Sequence, residues 1–576
     1  MNARGWEKGA ARRRMGVLAL LALAACSDGG DRGGGERPAG KAADADTPRQ
    51  GGTAVVAELS DISLAHPLFF EGGVDEGLMD IMFMSLTRGD WKDGRLHYLL
   101  SDQSPMALAW NYEYTGADST ALRYRMRSGL RWSDGRPITA HDVVWTYRMY
   151  ADTTATSPRQ SNVADIDSVV AENDSVVTFH FKRRYPEMLF DSGMMIAPRH
   201  AHEGVAPPAL RTHTTVTRPE TLPVSGPFRV GSQRPGQEFT LVPNPHFSVK
   251  PRLDRIVFRV IPDITTRLVE LQNGTVHFAR SVPFDQVPLL RQRAPDLQFD
   301  REQDRFWEFI AYNPRTVPQF ADPEIRRALG MAMDVPGMIR QLRMDDYTTV
   351  AAGPYSPLFK ELYDPQRMRP LAFDSAGAKR ILEGKGWRDT DGDGIREKDG
   401  KPFRFTLITN TGNQRRADVS QILQRMWRDV GVDVRLQQYD LGTFQEKMIR
   451  ERDYQAALGS WGVELTPNFT GIWGEKSLLN VVDYRNPEVT RLMAQAEAQP
   501  TAALANPLWR AAAERIVQDQ PYTWLYYYDP VTGRSSRLRG VDVDTYGAYQ
   551  NAWEWWVTGG PAGGARADTA QRDTGR

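Results

Sequence analysis

Cysteine is almost missing from these 576 residues: there is one, Cys26. A lone thiol excludes a disulfide framework and any CxxC metal or redox site, because no second cysteine exists to complete either. Charge of one sign is missing too. Lysine plus arginine and aspartate plus glutamate stand at 72 each, so there is no overall basic field for nucleic acid and no acidic one for cations, and partners must be selected locally. Beyond the first two dozen residues no apolar run approaches the ~20 residues of a membrane-spanning helix, which points to a body that stays in water. Enzyme signatures are absent as well: there is no GxSxG elbow, no HExxH, and no glycine-rich phosphate loop followed by Lys and Ser or Thr. With 72 acids, carboxylate spacing singles out no glycosidase pair. No catalytic residue, no cofactor and no resident metal are expected, and a secreted hydrolase is the remaining reading from a different class.

What is present begins with Arg4, Lys8 and Arg12 to Arg14, followed by Met15 to Ala25, all apolar or Gly. This is the n-region and h-region of an export signal, far too short to span a bilayer. Leu23, Ala24, Ala25 and Cys26 resemble the lipobox of bacterial lipoproteins, in which the chain is cut before the cysteine and its sulfur is lipidated. The resemblance implies a signal peptide over 1–25 and a membrane anchor at Cys26; which membrane holds the anchor does not follow. Residues 26–48 are Gly, Ala and charged residues without periodicity, the composition of a flexible tether, and 559–576 have the same character.

Between these ends, strand and helix signals alternate. TAVVA at Thr53 to Ala57 reads as a strand, and Leu122, Tyr124 and Met126 alternate with polar residues in another. Phe403, Phe405 and Leu407 alternate likewise, and are followed by the stripe Val419, Ile422, Leu423, Met426 and Val430. Gly431 and a second alternating run, Val432, Val434 and Leu436, come next. Strand, helix and strand at this spacing make a βαβ unit. Asp322 before Pro323 predicts a capped helix burying Ile325, Ala328, Leu329 and Ala332. Thr139 with Asp142 three residues on predicts another, through a capping box in its aspartate form. The class is α/β, arranged in lobes.

GLRWSDGRPITAHDVVWTY, residues 129 to 147, resembles the signature of the extracellular solute-binding proteins of peptide and nickel ABC importers. ISLAHPLFF (62–70), VSGPFRV (224–230), LVPNPHF (241–247), LQNGTVHFA (271–279), ADPEIRRALGMAMD (321–334) and the block from 379 to 407 follow in the family's order. Turn glycines, caps and apolar stripes account for these blocks as scaffold. The resemblance implies a two-lobed periplasmic-binding-protein-like fold of the large cluster C type, with an extra domain inserted in the first lobe. The boundaries expected from it are 49–88 with 220–305 and 526–558 for lobe I, 89–219 for domain II and 306–525 for lobe III. It also implies an exported, periplasmic or extracytoplasmic monomer. Such a protein captures a peptide or other small polar solute between its lobes and delivers it to an ABC permease in the membrane. A saccharide is the alternative cargo, because aromatic residues such as those of AWEWW, 552 to 556, stack on sugars.

Three stretches carry candidate chemistry. DTDGDGIREKDG, 389 to 400, places Asp389, Asp391 and Asp393 as in a calcium loop, but position twelve is Gly400 and Ile395 comes one place early, so a polar hairpin is expected instead. His200 and His202, with Glu203 nearby, are too few ligands for a metal site. GSWGVELTPNF, 459 to 469, matches the segment in which oligopeptide-binding relatives carry a pocket-walling tryptophan, a residue pairing with the peptide main chain, and an aspartate for the ligand's amino terminus. By that resemblance the ligand-binding positions are Trp461, Gly462 and Glu464, with glutamate standing where the family usually has aspartate.

Overall fold

Three sheets do most of the work, and each contains a strand read from the sequence. The computed structural model describes residues 47–558 except 63, 71–73, 117, 303–305, 463–464 and 546. The signal segment, Cys26, Glu464 and the tail therefore lie outside the described residues. Among the described residues no helix is long and apolar enough to cross a membrane.

The strand at Thr53–Glu58 is central in a seven-stranded sheet, parallel to Arg255–Val260 on one side and to Phe278–Ala279 on the other. Ala54 and Val56 pack into one core cluster and Ala57 into another, so both faces are covered, as a parallel strand requires. A four-stranded antiparallel sheet follows, ordered Ala109–Thr115, Ala121–Met126, Val176–Phe181, Ile166–Asn173, with Leu122, Tyr124 and Met126 buried on one face as their alternation predicts. Its helix, Ala140–Ala151, starts at the expected capping box: Thr139 N donates to Asp142 Oδ2 at 2.9 Å.

The six-stranded sheet contains the βαβ unit. Arg404–Asn410 and Asp433–Tyr439 run parallel with Phe405 beside Val434, joined by the helix Gln414–Arg428. Val419, Ile422 and Leu423 are buried, but Met426 is only half-buried and the adjacent Trp427 is the full core residue, its indole N–H donating to Leu329 O at 3.0 Å. The helix Pro323–Met331 has its Asp322 cap, with Glu324 N donating to Oδ1 at 2.9 Å.

Two neighbouring connections join the six- and seven-stranded sheets. One leads from Leu297–Arg301 to Phe306–Tyr312; the other leads from Tyr522–Tyr528 to Val531–Ser535. Their strands pair within each sheet, Arg301 beside Val531 and Phe306 beside Tyr528, and Glu302 N donates to Pro530 O at 2.9 Å. Two paired crossings side by side leave the lobes free to turn about a hinge, the usual basis of domain closure. The lobes also touch away from it. The hairpin of Arg88–Lys92 and Arg95–Leu99 sets Trp91 edge-on to Phe359, centroids 5.3 Å apart, and Arg95 pairs with Glu361.

The aromatics of AWEWW do not line a surface. Trp553, Trp555 and Trp556 are buried, with Trp555 5.4 Å from Phe278 and 6.0 Å from Tyr549. Their role is core, so the feature that suggested a stacking sugar is absent.

Candidate functional site

In open α/β sheets ligands gather outside the carboxyl ends of the parallel strands, where no helix covers the backbone. Those ends are occupied here by charged and aromatic side chains. In the first lobe they carry Glu58, which is buried and accepts from Tyr549 OH, and Arg280, which forks onto Glu302 with its two N–H groups at 3.3 and 3.1 Å. Burial raises the Glu58 carboxyl above the usual range, against the pull of Arg280.

In the other lobe the corresponding ends are tied to Glu308, whose side chain is 0% exposed. Arg415 Nη2 donates to it at 2.9 Å and Arg416 Nε also donates to it. Arg416 then donates to Asn410 Oδ1 at 2.6 Å and to Ser460 Oγ at 2.7 Å, while Arg415 lies 3.9 Å over the Tyr528 ring. One carboxylate thus fixes the start of the Gln414–Arg428 helix against the strand Ala456–Gly462. Trp461 and Gly462 end that strand opposite Trp307 and Phe306. Trp461 is half-buried against Phe309, centroids 5.6 Å apart, and a Cβ at Gly462 would meet Phe306 Cε1 at 2.9 Å, which explains glycine there.

Three residues beyond Gly462, Leu465 turns into a cavity of about 170 Å³ whose other lining residues all lie between 70 and 195, so the other lobe meets this one there through a single side chain. Phe70, Tyr150, Phe190 and Met194 supply much of its apolar wall, and Glu76, Asp80, Arg88 and Arg159 its charge. Such a mix, apolar walls with a few fixed polar groups, is the usual constitution of a small-molecule site. The polar groups are positioned from several elements. Arg88 Nη1 donates to Asp80 Oδ1 at 3.2 Å, and Tyr150 OH donates to Pro67 O at 3.2 Å and Met195 O at 3.1 Å. Ser157 Oγ donates to Leu68 O at 2.7 Å, holding the loop that bears Arg159, whose guanidinium carbon lies 3.6 Å over the Phe70 ring. Sequence reasoning found Phe70 only inside the ISLAHPLFF block and missed Arg159. No local pattern marks a single arginine that is placed in a cavity by a ring 89 positions away.

The family model described as bacterial extracellular solute-binding proteins, family 5 Middle, matches residues 105–476. The chain belongs to this family. Oligopeptide-binding protein AppA of Bacillus subtilis (strain 168) is 28% identical over 555 residues, covering 94% of this chain and 98% of that one. An oligopeptide-binding protein OppA of Lactococcus lactis subsp. lactis is 24% identical over 494 residues, 76% of this chain and 79% of that one. The solved structure of the Bacillus subtilis AppA in complex with a nonapeptide has a TM-score of 0.77 at 27% identity, over 89% of this chain and 100% of that chain. NikZ from Campylobacter jejuni, in complex with Ni(L-His), shares the fold with a TM-score of 0.76 at 21% identity, over 87% and 99%. The two-lobed α/β architecture is therefore that of the family 5 solute-binding proteins.

The other sequence candidates sit elsewhere. Asp389, Asp391, Asp393 and Glu397 bring carboxylate oxygens within 4.8 Å of one another on the surface. Those oxygens accept from local N–H groups, Asp389 from Gly392 at 2.7 Å and Glu397 from Thr390 at 2.9 Å, as in a polar hairpin. His200 and His202 diverge. His200 pairs with Asp134 at 2.8 Å, whereas His202 is buried, accepting at Nε2 from His66 at 3.1 Å with its Nδ1 toward Pro198 O at 2.9 Å.

Proposed function

We propose that this protein is the substrate-binding component of an ABC importer, which closes its lobes over a peptide and presents it to a membrane permease. The cavity carries the reading: residues between 70 and 195 build its wall, and Leu465 of the other lobe, three positions past the strand Ala456–Gly462, closes onto it. A relative of nearly the same length is named for oligopeptide binding. An extended peptide suits such a crevice because main-chain hydrogen bonds give affinity while side-chain pockets give tolerance. Trp461 walls the site, the Gly462 backbone pairs with the cargo, and the Glu464 carboxylate receives the cargo's ammonium. Cys26 anchors the exported protein by its lipid, with residues up to 48 as tether, and the protein acts as a monomer.

Native mass spectrometry of the protein as purified tests this. A ladder of co-purified peptide masses is expected. A single saccharide mass would replace the cargo, and substrate turnover by the purified protein would put a hydrolase in its place.

A further inference from the structure

We propose that Arg159 reads a carboxylate of the cargo in the interlobe cavity, an inference that rests on the peptide reading of that cleft. Two arginines line the cavity, and they are not equivalent. Arg88 is engaged by Asp80. Among the described residues Arg159 has no acidic partner: its guanidinium lies flat over Phe70 at 3.6 Å, Nη2 reaches Phe70 O only at 3.5 Å, and the buried Nε has no hydrogen-bond partner. Stacking occupies the face of a guanidinium and leaves its in-plane N–H groups free, and that rigid fork matches the two oxygens of a carboxylate.

The mounting is fixed before any cargo arrives. Ser157 Oγ is tied to Leu68 O at 2.7 Å and accepts from Arg159 N at 3.3 Å, so the loop bearing the arginine and the segment bearing Phe70 are held together. Nε is closed to an incoming group, and the 3.5 Å contact to Phe70 O holds Nη2 only weakly, so a carboxylate entering the cavity meets the guanidinium at its Nη end. The acids on the same walls, Glu76 and Asp80, limit the site to one negative charge by repelling a second. The carboxylate comes either from the peptide's C-terminus or from an acidic side chain.

A pentapeptide library of neutral side chains, synthesised as free acids and as C-terminal amides, distinguishes the sources. A third set of amides carries one glutamate per peptide. Retention on the wild-type protein should favour free acids over neutral amides by roughly 10- to 100-fold, the range for a charge-assisted hydrogen bond. Recovery of binding by the glutamate amides identifies the side chain as an equally acceptable source. Arg159→Gln should hold all sets at the level of wild type with neutral amides, and Arg159→Lys should keep part of the preference. Equal amide binding by Arg159→Gln and wild type shows in the same assay that the variant is folded. Equal retention of acids and amides by the wild type, or an undiminished preference in Arg159→Gln, overturns the role of Arg159 while leaving peptide capture standing. Retention of no library overturns peptide capture itself.

Discussion

Replacing Glu308 by glutamine keeps the shape of the side chain and removes one charge from a place with no solvent. The carboxylate is 0% exposed, and its partners Arg416 and Arg415 are 8% and 19% exposed at the side chain. Losing it strands the Arg416 guanidinium, which keeps Asn410 and Ser460 as neutral acceptors but no counter-ion. Breaking a buried pair by removing one partner costs ~3–5 kcal/mol. The glutamine carbonyl still accepts one hydrogen bond, and Arg415 keeps its stacking on Tyr528, so the low end, about 3 kcal/mol, is expected. Arg415→Gln is the internal control. It leaves Glu308 paired with Arg416 and removes the more accessible guanidinium, so a loss of about 1 kcal/mol is expected, close to a partly solvated pair. Equilibrium urea unfolding followed by tryptophan fluorescence, analysed by linear extrapolation, measures both. A loss under about 1 kcal/mol for Glu308→Gln, the range of a surface pair, would show that this carboxylate does not pin the lobe.

The contact between the four-stranded sheet's domain and the other lobe should respond to pH. Burial, with Glu497 and Asp165 adding repulsion, pushes the Glu187 carboxyl up to about 7, and burial with the same kind of neighbours pushes Asp191 to about 8. The folded chain holds these protons more tightly than the unfolded one, so their stabilisation is complete below the ordinary carboxylate range and lost as pH rises toward 8. The melting temperature should fall between pH 6.5 and 8.5, and Asp191→Asn should flatten that fall; an unchanged slope refutes the assignment. On the acid side, burial lowers His66 and takes His202 to about 4, so the unfolded chain binds those protons first and the histidine contribution falls as pH drops from ~6.5 toward 4, opposing the gain from Glu187 and Asp191 over that range. Cys26→Ser should move the protein from the membrane to the soluble fraction, and a variant still in the membrane rules out lipid anchoring. Glu464→Gln should weaken calorimetric binding of a co-purified peptide, and N-acetylating that peptide should add little further loss. Simple addition of the two losses means Glu464 is not the amine's partner.

The scaffold was legible where its signals are local. Asp322 before Pro323, Thr139 with Asp142, and the stripe Val419, Ile422, Leu423 each encode a cap or a face within one or two turns, and each appears where its pattern places it. The core assignment slipped by one residue, from Met426 to Trp427, because a 3.6-residue period leaves neighbouring positions nearly equivalent until packing selects one. The tryptophans of AWEWW read equally well as binding surface or core, and only the position of Phe278 and Tyr549 decides for core. The cleft was least legible. Arg416 meets Glu308 across 108 positions and Arg159 meets Phe70 across 89, so no window of sequence holds both members of either pair.

The central claim is that cargo sits between the lobes and touches both, and hydrogen–deuterium exchange with and without a saturating co-purified peptide measures that directly. Slowed exchange is expected together on 85–89, 159–162 and 190–195 of one side and on 456–462 and Leu465 of the other. Protection confined to one side, or absent while calorimetry shows the peptide bound, would contradict capture in this cleft.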